Sequence, residues 1–186
     1  LIGSQLLGTV YTDNNGKYSL SFSNDVILEN GGCDLFLRIF AGDNNSYVVR
    51  SDGKTKYYYD TEYDDYQNVA TGSETTVDAI IEMDTDSGKA IQISQAILTA
   101  RDFVKAMTGE TPKGVKVAYP SSNTCYYSRE KNTIYITNKA RKNKNVPESY
   151  ASWDVIMHEY GHHIAYHQGI DRSPGDWHNV EENMVD

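Results

Sequence analysis

Cysteine is almost missing from this chain. Cys33 and Cys125 are the only two in 186 residues, too few and too far apart for the disulfide framework of a small stapled scaffold. Basic charge is short as well. Seventeen Lys and Arg against twenty-six Asp and Glu give a net charge of −9 and a pI near 5.0, which argues against a nucleic-acid partner. No apolar run approaches the roughly 18 residues of a membrane span. No secretory signal opens the chain, and Leu1 reads as the start of a processed or cut polypeptide. Internal repeats and low-complexity tracts are also lacking. What remains, 39% hydrophobic and 23% charged, is ordinary globular material for one or two small domains.

Histidine is the most unevenly spread residue. The first 157 positions have none, and all five (158, 162, 163, 167 and 178) fall in the last 29. Two of them belong to His158-Glu159-Tyr160-Gly161-His162, the HExxH arrangement of zinc hydrolases. The spacing has a reason. Residues four apart share one helix face, so both imidazoles can close on one ion, while Glu159, about 100° round the helix, can serve as general base toward metal-activated water. A single histidine on a helix is better explained as a solvated polar residue, but the clustering weakens that explanation here. His163 and His167 point elsewhere on the helix and read as bystanders.

A catalytic zinc usually takes three protein ligands, which raises the question of the third. Ala165 and Gln168 stand where the metzincin continuation requires Gly and His, which argues against that class. Downstream, Glu182-Asn183-Met184-Val185-Asp186 follows His162 at the spacing used by the thermolysin-like gluzincins, and the chain resembles that family over the two motifs. Glu181 and Val185 replace the family's Asn and Ser. Residue by residue, the resemblance implies His158, His162 and Glu182 as Zn2+ ligands, Glu159 as the base and Asp186 as the carboxylate behind His158. It also implies a zincin-like catalytic half, a mixed sheet with two long helices. Glu182 and Asp186, at i and i+4, could be presented by one helical face, and a carboxylate on the free N–H of a ligating histidine fixes its tautomer. An ordinary acidic surface face is the plainer explanation of Glu181 and Glu182; Glu181 and then His178 are the substitutes for the third ligand. The family's further helical lobe has no counterpart before the chain stops at Asp186.

The motif helix is expected to start at Ser149 or Ser152 and stop at Gly169, burying Trp153, Ile156, Met157, Tyr160 and Ile164. Gly161 reads as a site of close packing. Upstream, Val115, Val117 and Tyr119 alternate like a strand, and so does Thr133–Thr137, within which Ile134–Thr137 is the candidate edge for an extended peptide or else a plain core strand. Ile93, Ala96, Ile97, Ala100, Phe103, Val104 and Met107 form a helical stripe read as core, ending at Gly109 and Pro112. Asp84–Gly88 faintly resembles a calcium loop, but Lys89 and Gln95 replace its required Gly and Glu, so it reads as turn and cap. The basic stretch 139–144 reads as a solvated loop, and its place beside the motif leaves substrate contact as the alternative.

The fold expected is α+β: a small N-terminal antiparallel β-sandwich followed by a truncated zincin-like half. Alternating stretches at Gly8–Tyr11, Lys17–Phe22 and Asp34–Phe40 carry the first part, and Thr12–Tyr18 resembles the turn of transthyretin-like or carboxypeptidase-regulatory-like domains. Residues 1–55 form this accessory domain, incomplete at its start; 56–90, tyrosine-rich and acidic, form a linker; 91–186 form the metallopeptidase half, incomplete at its end. The function expected is zinc-dependent endopeptidase action on protein or peptide substrates, or an inactive fragment of such an enzyme. The alternative is a non-catalytic partner- or glycan-binding module with a structural zinc. Secreted peptidases with accessory β-domains are extracellular or cell-surface proteins, and the resemblance implies the same here.

Overall fold

A computed structural model describes residues 4–13, 15–22, 32–62, 66–70, 72–122, 124–139 and 150–170. The content is α+β, and the chain divides into two compact units, one from 1–37 with 60–79 and the other from 38–59 with 80–186.

In the smaller unit the Asp13 turn is present. Its carboxylate accepts the amides of Asn15 and Lys17 at 2.8 and 2.9 Å, and its own amide donates to Lys17 O at 2.8 Å. Leu20 packs over Gly8 on the opposite arm, where a Cβ would lie 2.8 Å from a Leu20 methyl. Neither arm forms a strand among the described residues, so the alternation at Gly8–Tyr11 and Lys17–Phe22 is not expressed as a ladder. Elsewhere, Cys33 and Val69 form an isolated antiparallel bridge and the Tyr18 hydroxyl donates to Val77 O at 2.7 Å.

The larger unit is built on four strands in the order β2-β4-β6-β5: β2 (Tyr47–Val49), β4 (Lys116–Ser121), β6 (Thr133–Thr137) and β5 (Tyr126–Ser128). A separate two-stranded ribbon pairs β1 (Arg38–Phe40) with β3 (Tyr58–Asp60). Strands β2, β4 and β6 run parallel, whereas β5 lies antiparallel to β6. Helix α1 (Asp86–Thr108) is the crossover between β2 and β4 that parallel pairing demands. Two findings differ from the linear division drawn from sequence. Tyr47–Val49, assigned there to an accessory domain, joins the main sheet, and 56–90 holds β3 and the start of α1.

Register explains the layering. Val48, Val117, Ile134 and Tyr127 are cross-strand partners in one row, and the first three belong to the core with Ala90, Ile93, Ala96 and Ile97 of α1 and Ile156 and Tyr160 of α2 (Trp153–His167). Each fully buried Ile or Val contributes about 1.5–3 kcal/mol. The next row, Val49, Ala118, Tyr135 and Tyr126, necessarily points the other way. Ile134–Thr137 is therefore an internal core strand and the antiparallel edge is β5, which corrects the edge reading.

The caps of α1 follow the sequence closely. Thr85 takes the Gly88 amide on its hydroxyl at 3.0 Å, and Gly109 closes the helix in the left-handed region. The predicted stripe is half right. Ile93, Ala96 and Ile97 are buried, but Phe103 is 65% and Met107 71% exposed. Length is the reason: 23 residues of helix run about 35 Å, and even β4, six residues long, spans only about 20 Å, so the last turns overshoot the sheet.

Arg101 anchors that distal half by an ion pair to Asp43, whose carboxylate also accepts the amides of Asn45 and Ser46. Partial burial alone would raise the Asp43 pKa, but the Ser46 and Asn45 amides and the Arg101 guanidinium outweigh it and hold the group below the ordinary carboxylate value. The charged form is thus favoured by folding, and its stabilisation is present above the unfolded pKa of about 3.9 and lost as pH falls through the lower folded value. Replacing Asp43 with Asn should lower stability by about 1–3 kcal/mol at pH 7, with the deficit shrinking in strong acid. Urea midpoints measured from pH 7 to pH 2 would check it; a deficit independent of pH would refute the charge argument.

Candidate metal centre

Helix α2 places the HExxH residues. Ser152 occupies the N-cap position, without a side-chain cap bond. At the other end Gly169 takes φ 70°, Ile170 N donates to Ala165 O and Gly169 N to Tyr166 O, a Schellman closure that only a residue tolerant of positive φ completes without strain. The buried side is Val155, Ile156, Glu159, Tyr160 and His163; Trp153, expected there, is 40% exposed.

On the adjacent side the two imidazoles converge. Nε2 of His158 lies 3.1 Å from Nε2 of His162, with ring centroids 4.7 Å apart and planes at 89°. Glu159 is buried, with 8% of its surface exposed. Glu182 and Asp186, together with Glu181 and His178, lie outside the described residues. Among the described residues no third His, Cys, Asp or Glu joins the pair. Of the basic stretch only Lys139 is described, and its ammonium donates to Ser122 O at 2.5 Å.

Gly161 does not mark close packing. A Cβ built on it meets nothing within 4 Å. Replacing it with Ala should stabilise the chain by about 0.5–1 kcal/mol through helix propensity alone, read as a rise in urea midpoint; a loss would show that glycine is required there.

His163 and His167 are bystanders to the pair but not to the fold. The His163 ring is fully buried, and burial pushes its pKa down to about 4, so it is neutral near pH 7. Its Nε2 lies 2.8 Å from the Lys113 carbonyl and must carry the proton, while Nδ1 lies 3.4 Å from the Tyr127 hydroxyl, which itself donates to Asn132 Oδ1 at 3.1 Å. His167 Nε2 reaches Asn132 Oδ1 at 3.1 Å, and Asn132 Nδ2 donates to Gly114 O at 2.9 Å. The Tyr127 ring stands edge-on to His163 with centroids 5.4 Å apart. This network ties the turn after the motif to β5, to the β5–β6 turn and to the segment entering β4.

Tyr127 and Asn132 were not singled out in the sequence. Tyr127 lies 36 residues before His163, and no local spacing signals such a contact. His163 could have been found, because it sits seven residues after Ile156 and three after Tyr160, on their face.

No family model, curated protein or solved structure matches this chain.

Proposed function

We propose that this chain carries the catalytic zinc site of a gluzincin-type endopeptidase, with the smaller unit as an accessory β-domain of sandwich type and the larger as a zincin-like half. The observation that carries the reading is the 3.1 Å separation of the two Nε2 atoms. Zinc binds imidazole nitrogens at about 2.0–2.1 Å, and two such ligands at a tetrahedral angle stand roughly 3.3 Å apart, so the rings need move only a few tenths of an ångström to share an ion. Glu182 is the proposed third ligand and Asp186 the carboxylate that orients His158.

When bound, zinc supplies Lewis acidity to a carbonyl oxygen and lowers the pKa of water to about 7. The rest falls to the chain. Glu159, one residue from a ligand yet turned about 100° from it, takes a proton from the attacking water and hands it to the leaving amine. Its low exposure keeps competing water away from the carboxylate. The edge of β5, against which α2 packs through Tyr127 and His163, offers an extended peptide a place to add as a further strand. Extracellular or cell-surface placement belongs to the same proposal.

The test joins metal analysis to a casein-type cleavage assay on this chain. One equivalent of zinc with hydroxamate-sensitive cleavage is the expected outcome. Zinc whose removal unfolds the chain, with no cleavage, would favour a partner- or glycan-binding module holding a structural ion. Absence of stoichiometric zinc would end both readings.

A further inference from the structure

The register that turns Tyr127 toward α2 turns its neighbour the other way. Tyr126 is 41% exposed on the opposite face, and Tyr135, its direct partner on β6, lies almost parallel to it, with ring centroids 4.6 Å and planes 9° apart. Tyr126 thus ends the row Val49, Ala118, Tyr135, Tyr126, and among the described residues no strand lies beyond it. In an antiparallel pair, successive residues turn both backbone groups alternately toward the partner and away. Over the three residues of β5 the outer edge therefore presents the amide and carbonyl either of Tyr127 or of Tyr126 and Ser128. A strand laid on that edge sets one side chain directly opposite Tyr126, with Cβ atoms about 4.5–5.5 Å away on the same face.

We propose, resting on the strand-addition reading above, that Tyr126 determines specificity: the site takes extended peptides with an aromatic side chain at the residue paired with Tyr126, adding a third ring to the Tyr135–Tyr126 stack. An aromatic partner gains from offset or edge-on ring contact beyond the area it covers, and an aliphatic one gains the area alone. Tyr126 is already held against Tyr135, so a third ring orders little that is not ordered. The preference has a period of two. Residues on either side of the aromatic one face the α2 side of the sheet, where Tyr127 stands, and do not meet the stack.

The experiment scans a Phe along an otherwise Ala and Thr octapeptide, measuring binding to the zinc-free chain by fluorescence anisotropy and cleavage by the zinc-loaded chain. One peptide position should gain roughly 3- to 10-fold from Phe over Ala. Tyr126→Ala should abolish that gain, and Tyr126→Leu, which keeps apolar bulk but removes the ring, should abolish it too, while zinc stoichiometry and the far-ultraviolet spectrum stay as in the parent. A Phe preference that survives in either folded variant, no preference at any position, or no peptide binding at all would overturn the proposal. The two readings separate cleanly. Tyr126-dependent binding without cleavage keeps this inference and removes the catalytic one, whereas zinc-dependent cleavage indifferent to Tyr126 does the reverse.

Discussion

Glu159→Gln is expected to leave one zinc bound and to lower peptide cleavage by about two to four orders of magnitude, the range spanned by loss of a positioned general base. The substitution is close to isosteric. Gln fills the same buried space as Glu159, 8% exposed on α2, but its amide cannot accept a proton and pass it on. The proposed ligands on either side, His158 and His162, keep their 3.1 Å approach because their one-turn spacing is set by helix geometry and not by the residue between them. Zinc content measured beside kcat is the discriminating pair of readouts. Cleavage near the parental rate with full zinc would remove Glu159 from the proton path, and loss of both together would make it a ligand or a structural carboxylate.

How far the sequence could be read depended on the range of the interaction. Features closed within one or two helical turns were legible: the turn and cap at Asp84–Gly88, the Gly109 and Gly169 stops, the Asp13 turn and the convergence of His158 with His162 all need only local geometry. The alternation of Val115, Val117 and Tyr119, read as a strand for the same reason, falls on β4 and the residue before it, and all three are buried. Strand order was not legible, since periodicity of two marks a strand and says nothing of its neighbours. That is why Ile134–Thr137 could be taken for an edge when β5, only three residues long, holds the edge outside it. The stripe along α1 failed differently: its spacing is right, but how much of a helix finds a sheet to cover depends on strand lengths set elsewhere in the chain. At the candidate site, the pair and Glu159 were named from spacing alone, whereas the third ligand depends on Glu182, outside the described residues.

Helix α2 bears two histidine pairs at i, i+4, with ring centroids 4.7 Å apart in both, yet their surroundings assign them opposite roles, and substitution should separate these. His162→Ala is expected to reduce zinc affinity roughly a hundredfold or more, since a ligand is lost outright where even an outer hydrogen-bond partner is worth 10- to 100-fold. Its effect on the metal-free fold should stay under about 1 kcal/mol, because the side chain is only partly buried and leaves no core void. His163→Leu should do the reverse. The apolar volume is largely kept, but the buried Lys113 carbonyl loses its donor, a loss of about 1–3 kcal/mol. Denaturation in a chelator isolates the fold from any stabilisation by bound metal, and zinc titration of the refolded variants supplies the second axis. Should His163→Leu instead weaken zinc as strongly as His162→Ala while leaving stability intact, the metal face of α2 has been drawn about 100° from where it lies.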